Sequence, residues 1–383
     1  MSQNFHAMIP EIKSRIKEEC VREMTQDNES LIGLPYPYVI SGKGKTEALH
    51  YWDTYFINLG LLRMRMIDYA RHNVENLIFL QRKFGYVPAS NARDMVAHSQ
   101  PPFLPWMVRD IYRATGEKEW LRRILPEVVH EFKFWTSKPH TTPTGLYRYH
   151  PAKEGTDDPA ALAMAESGWI DSPRFTDPRS FNAIDLNALL SRNAKMIYDL
   201  QVEAEGHGDE QLLQKSAAMK KMMEFCWDES EGFYFDNNFE NKQLSPVKSM
   251  AGFMPLFVEI VDETRAQRIA SHLKDFTAPG GLTLTDQSYG KTNSLWNAPL
   301  IQAPFVYTTL KGLCDYDFME DAADIGTNWL TMVQENYAAT GELWSWYNAA
   351  DRSVRHPDGI ENSPLLALTA GVYAEMVDCL GLD

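Results

Sequence analysis

The chain is short of cysteine. Four in 383 residues, at Cys20, Cys226, Cys314 and Cys379, stand far apart and form no CxxC. That argues against a disulfide framework and fits a reducing compartment. Cys226, Cys314 and Cys379 fall in apolar helical runs, the usual setting of a buried thiol. Positive charge is also scarce: Lys and Arg total 37 against 52 Asp and Glu, a net charge of −15. Such a chain is a poor match for a nucleic-acid backbone, whose binding needs basic residues to neutralise phosphates. A solvated acidic exterior accounts for the excess. No apolar run reaches the ~18 residues that cross a bilayer. Residues 1–6 have neither a basic start nor an apolar stretch of a secretory signal. These absences together predict a cytoplasmic protein with no membrane or nucleic-acid partner. Asn28-Glu29-Ser30 is a formal glycosylation sequon, idle without secretion. Gly44-Lys45-Thr46 mimics the end of a phosphate-binding loop, but Val39 stands where its first glycine belongs. No HExxH or GxGxxG occurs in a suitable context, so no metal and no cofactor is expected.

What is present is helical periodicity. With 44% hydrophobic residues the chain can bury a sizeable core. In 117–136, Leu121, Leu125, Val128, Phe132 and Trp135 recur every three or four residues. In 317–338, Phe318, Ala322, Ile325, Trp329, Met332 and Val333 do the same. Each series makes one apolar stripe on a helix. Segments of this kind span about 7–27, 51–64, 66–83, 101–114, 117–136, 181–203, 208–227, 251–258, 262–272, 296–313, 317–338 and 362–380. Short turns join several as hairpins, with Gly116 the expected C-cap of one. Helices in consecutive pairs, about twelve in all, predict an all-α (α/α)6 barrel, six inner helices covered by six outer ones. Residues 28–49, 138–180 and 274–295 do not read as helix. Loops of that length are usually functional, and here they cover one end of the barrel. With no linker or low-complexity tract, residues 1–383 read as a single domain.

The loops and helix starts concentrate Trp, Asp, Glu, Asn and Gln. Trp52-Asp53, Asn91, His98 with Gln100, Glu166 to Arg174, Trp296-Asn297 and Leu343 to Asn348 are the main groups. Indole faces stack on pyranose rings while carboxylates and amides bind hydroxyls. The mixture suits a small polyhydroxylated ligand in a cleft. Packing of the barrel rim is the plainer explanation for any single tryptophan.

One string carries a family resemblance. Glu166-Ser167-Gly168-Trp169-Ile170-Asp171-Ser172-Pro173-Arg174-Phe175 resembles the E-S-G-W-D-F-S-S-R-W acid loop of trehalases. It is closer still to the E-S-G-W-D-N-S-P-R-F loop of the inverting family of processing α-glucosidase I and mannosylglycerate hydrolase. Tyr51-Trp52-Asp53-Thr54-Tyr55, Phe84 to Pro88 with Ser99-Gln100-Pro101-Pro102, Ile184 to Leu190 and Trp296-Asn297-Ala298-Pro299 resemble further trehalase segments in the same order. Together they cover about 35–310. The resemblance implies a glycosidase that binds a small glycoside.

The departures bear on mechanism. The family's catalytic aspartate falls on Ile170, with the nearest carboxylate at Asp171. Family arginines fall on His98 and Met164, and the aspartate of Q-W-D on Asn297. The family's base lies in a C-terminal string. Leu343-Trp344-Ser345-Trp346-Tyr347-Asn348 matches its context and puts Ser345 at the base position; Glu335-Asn336-Tyr337 matches its letters. An inverting glycosidase needs a carboxylic acid and a carboxylate about 6.5–9.5 Å apart, which Ile170 and Ser345 cannot supply. Asp171, Glu166 and Ser345 are the candidate catalytic positions. Trp52, Asp53, Asn91, His98, Gln100, Trp169, Arg174, Trp296, Asn297, Trp344 and Trp346 are the candidate substrate-binding residues. Three functions stay open: a hydrolase of a small α-linked glycoside with a shifted acid, a repurposed lyase, isomerase or cyclase, and an inactive sugar-binding homologue.

Overall fold

The computed structural model describes residues 4–44, 47–152, 157–290 and 294–381. Lys45 and Thr46, of the phosphate-loop mimic, lie outside the described residues. Six helices line an inner ring: α2 (Tyr51–Arg63), α4 (Leu104–Thr115), α7 (Ile184–Glu205), α9 (Met254–Phe257), α12 (Ala303–Asp315) and α14 (Leu366–Cys379). Each packs on the next, and α14 closes on α2. Outside them lie α1 (Ile9–Arg15), α3 (Ile67–Phe84), α5 (Lys118–Trp135), α8 (Glu210–Met222), α10 (Glu263–Ala270) with α11 (Leu273–Phe276), and α13 (Met319–Thr340). This is the (α/α)6 barrel; among the described residues the strands in its loops are two residues long.

Burial patterns explain the layering. Every residue from Thr54 to Leu61 of α2 and from Leu366 to Val377 of α14 is buried. A helix buried all round belongs inside. The outer helices keep one buried stripe, as in α5 with Leu121, Leu125, Val128, Phe132 and Trp135. Gly60 and Gly371 let α2 and α14 touch backbone to backbone. A Cβ on Gly371 would collide with the Phe56 carbonyl, and one on Gly60 with Gly371 itself. Gly116 ends α4 as expected, at φ +67°, its N–H donating to Tyr112 O at 2.7 Å.

Several boundaries differ from the sequence expectation. The first helix, with a 3-10 turn before it and a π turn after it, stops at Cys20, and Val21–Arg22 then pairs with Tyr38–Val39. The segment expected from 296 begins at Ala303. Leu300–Ile301 is instead a strand paired with Tyr347–Asn348, and Pro304 occupies the first turn of α12, where its missing N–H costs nothing. The segment expected from 362 begins at Leu366, because Pro364 keeps its predecessor extended. Inside the long 138–180 loop lies a helix the periodicity did not announce, α6 (Pro159–Ser167). Asp158 caps it by accepting from Ala161 N at 2.9 Å, and Pro159 starts it. No helix among the described residues is long and apolar enough to cross a membrane.

Candidate active site

The N-terminal ends of α2, α4, α7, α12 and α14 meet the long loops at one end of the barrel, and contacts link these regions. Gln100 Oε1 accepts from Trp52 N at 3.0 Å, capping α2. The Trp52 ring lies 5.9 Å from Phe305 at the start of α12. Phe305 lies 4.4 Å from Trp169, which is 5.7 Å from Trp296. The Leu300–Ile301 strand joins this group to the 344–348 loop. Ser41 links α14 to α2: its carbonyl accepts from Ala367 N at 2.9 Å, and its hydroxyl donates to Asp53. Most of the expected binding positions therefore share one end, toward which the positive ends of the helix dipoles point.

Asp53 is the carboxylate with the most distinctive setting. It keeps some solvent-accessible surface, yet desolvation raises its pKa, opposed by His50 and the Ser41 hydroxyl. Asp53 is thus a partly exposed yet desolvated carboxylate. Trp52, the residue before it, is 9% exposed. The Tyr51 hydroxyl donates to Glu131 on α5 and accepts from Leu104 N at 2.9 Å, fixing the start of α2 to α4 and α5. Burial pushes the Glu131 carboxyl up to about 8.

The acid loop is held from behind. Arg174 is buried and forms paired hydrogen bonds to Asp185, at 2.8 and 3.1 Å, and to Asp236, at 2.9 and 2.7 Å. Burial works against its charge, but the two carboxylates override this and raise its pKa. Its guanidinium stacks 4.4 Å from the Trp169 ring centroid, and Trp169 Nε1 donates to Asp185 at 3.1 Å. Trp169 and Arg174 are thus framework, with no face left for a ligand. Glu166 is fully buried and accepts from His150 N at 2.7 Å and Ser99 N at 3.4 Å, with His140 Nε2 at 3.3 Å. It braces the loop from the protein side.

The tip of the loop is a turn, Trp169-Ile170-Asp171-Ser172, closed by Ser172 N donating to Trp169 O at 3.1 Å. Asp171 takes the third position at φ +57°. Both central residues are exposed, Ile170 by 50%. Asp171 makes no hydrogen bond or ion pair with a described residue.

The remaining positions divide in the same way. Both ends of the Asn91 amide are used by the scaffold, Oδ1 by Leu49 N and Nδ2 by Ile32 O, each at 2.8 Å. Asn297 is buried and accepts from Thr285 Oγ1 at 2.9 Å and Tyr289 N at 3.2 Å, bracing its own loop. Trp346 is buried against His356. His98 is buried, burial lowers its pKa, and neither ring nitrogen has a hydrogen-bond partner among the described residues. Ser345 Oγ donates to Asn362 Oδ1 at 2.9 Å, and Glu335 lies exposed on α13 in an ion pair with Arg352 at 2.8 Å. Trp296, Trp344, Gln100 and Asp53 keep accessible surface. A cavity of about 340 Å³ opens beside Asn297, walled by Ser288, Leu300, His356 and Asp358. That volume is at the small end of ligand pockets. Among the described residues no cluster of His, Cys, Asp or Glu could hold a metal ion.

Ser41, Asp185, Asp236 and Phe305 are the residues sequence reasoning did not assign. Asp185 stood in a recognised string, Ile184 to Leu190, whose role was unspecified. The others carry no sequence signal, since only the fold brings them to the site.

Comparisons with known proteins agree with this geometry. A periplasmic trehalase of Shigella flexneri serotype 5b (strain 8401) is 27% identical over 412 aligned positions, covering 94% of this chain and 71% of the relative. Among solved structures, the neutral trehalase Nth1 of Saccharomyces cerevisiae superposes with a TM-score of 0.79 at 21% identity, covering 98% of this chain and 80% of that one. The GH63 mannosylglycerate hydrolase from Thermus thermophilus in complex with glucose gives 0.73 at 16% identity, covering 99% and 100%. The family model described as the mannosylglycerate hydrolase MGH1-like glycoside hydrolase domain matches residues 48–299, more than half of the chain. The chain belongs to this trehalase-like family of glycoside hydrolases.

Proposed function

We propose that the chain is a glycosidase-type enzyme for a small α-linked glycoside, bound at the N-terminal end of the barrel on a single domain spanning residues 1–383. The observation that carries this reading is Asp53: a partly exposed but desolvated carboxylate that accepts from the Ser41 hydroxyl and follows Trp52. Asp53 and Gln100 bind sugar hydroxyls, while Trp52, Trp296 and Trp344 offer apolar faces to the ring. Asp171 is the proton donor. Its exposure and lack of an ion-pair partner among the described residues support that role. The buried Glu166 and Arg174 hold the loop that presents it. Relatives named for trehalose and for mannosylglycerate set the panel to be tried. Loss of the family arginines at His98 and Met164 argues against trehalose itself.

A second reading has its own support. An apolar side chain, Ile170, occupies the exposed position of the family acid, and Ser345 at the base position is tied to Asn362. These favour non-hydrolytic chemistry or sugar binding without turnover. Following a panel of α-glucosides and α-mannosides by NMR separates the readings. Turnover that Asp171→Asn abolishes supports the first. Calorimetric binding with no turnover, lost in Asp53→Asn, supports the second. All four thiols are free and support a cytoplasmic location; the relatives named periplasmic trehalases stand against inferring location from kinship.

A further inference from the structure

The loop over residues 341–365, between α13 and α14, folds back on itself. Trp344 pairs antiparallel with Pro364, Leu365 N donates to Leu343 O at 2.9 Å, and Ser345 N donates to Ser363 O at 3.0 Å. Asn362 closes the fold. Its Oδ1 accepts from Ser345 Oγ at 2.9 Å, and its Nδ2 donates to Trp346 O at 2.8 Å. Glu361 is the next residue along the chain, its Cα about 3.8 Å from that of Asn362, so it is held in the neighbourhood of Ser345. Two contacts tie this loop to the cleft end of the barrel. Tyr347–Asn348 pairs with Leu300–Ile301, close behind Trp296 in the chain. Ala367 N, at the start of α14, donates to the carbonyl of Ser41, the residue whose hydroxyl donates to Asp53.

Four carboxylates lie on this loop, and three are engaged. Glu342 pairs with Arg15 at 3.0 Å, Asp351 accepts from Ser353 N at 3.0 Å, and Asp358 lies 3.8 Å from His356 Nδ1. Glu361 is exposed and makes no hydrogen bond or ion pair with a described residue. Around the acid loop, Glu166, Asp185 and Asp236 are all spent on the framework. We propose that Glu361 is the catalytic base, the carboxylate that activates the attacking water near the Ser345 position. The inference rests on the glycosidase reading with Asp171 as proton donor. An inverting pair works on opposite faces of one sugar ring, and these two carboxylates come from separate loops. Glu361 takes a proton from water, the water oxygen bonds to the anomeric carbon, and the glycosidic C–O bond breaks. Asp171 gives its proton to the departing oxygen. In sum, one glycoside and one water give an inverted sugar and an alcohol, and proton exchange with solvent resets both carboxyl groups. Ser345 does not serve instead, because a hydroxyl is a weak base and its proton is given to Asn362.

The test gives α-glucosyl fluoride and α-mannosyl fluoride to the full-length wild type, Glu361→Gln and Glu361→Ala. The wild type should hydrolyse at least one of them and release the β-sugar first. Both variants should lose about 10²-fold or more in kcat. Azide attacks with no proton to lose, so it needs no base. It should restore turnover to Glu361→Ala by forming the β-glycosyl azide as fluoride leaves, a rescue that a merely structural defect would not show. Undiminished hydrolysis by Glu361→Ala beside an active wild type would overturn this inference and leave the glycosidase reading standing. A loss that azide does not restore would do the same. A wild type inactive on both fluorides and on the glycoside panel would overturn the two together.

Discussion

Ile170 and Asp171 occupy the two central places of one turn, so neither can take the other's position without rebuilding it. That local geometry makes Asp171→Asn the sharp test of a displaced acid: loss of a positioned general acid should lower kcat by about 10²-fold or more. Arg174 shows how far a residue's chemistry can lie from its letters. Its sequence setting suggested a ligand contact, but its partners Asp185 and Asp236 are 11 and 62 residues away, and only folding brings them to it. Removing one member of a buried ion cluster costs about 3–5 kcal/mol. Arg174→Met should therefore lower stability by that order, measured by urea unfolding, and release Trp169. Glu131 gives a pH prediction. Its folded-state pKa, about 8, lies above the ordinary 4.5. Its contribution to stability is thus complete below about 4.5 and is lost as pH rises through about 8. Glu131→Gln should be indifferent to that window. Its Tm should rise relative to the wild type between about pH 6 and about pH 9, by a stability difference on the order of 1–3 kcal/mol.

At the scale of elements, helix interiors were legible, and so were the starts of α2, α3 and α5, expected at 51, 66 and 117 and found at Tyr51, Ile67 and Lys118; those of α12 and α14 were not. The stripes of α5 and α13 follow from spacing alone. The starts of α12 and α14 depended on prolines and on the strand pairing of Leu300–Ile301 with Tyr347–Asn348, a contact between distant loops. Helix α6 had a local signal, Asp158-Pro159 before an alanine-rich run, that the many prolines around it obscured. The close approach of α2 and α14 was invisible, because Gly60 and Gly371 matter only as a facing pair. Gly371→Ala should destabilise the chain by about 2 kcal/mol or more, because the Phe56 backbone cannot yield as a side chain would. Thermal unfolding checks this, and a Tm unchanged within error would remove the pair from the explanation of barrel closure.

For the molecule as a whole, repeated helical pairs and ordered motifs were enough to read the barrel and its family. The division of labour within the site was not readable. Many of the expected ligand contacts, among them Asn91, Trp169, Arg174 and Asn297, are consumed in holding loops. Of the expected positions, Asp53, Gln100, Trp296, Trp344 and Asp171 keep accessible surface. The central claim is that this set processes a glycoside. The most direct test is NMR-monitored turnover of small α-linked glycosides by the wild type, Asp53→Asn and Asp171→Asn. Turnover of at least one glycoside by the wild type is expected, with a loss of about 10²-fold or more in each variant. A wild type that turns over none of them, or turnover indifferent to both substitutions, would contradict the claim.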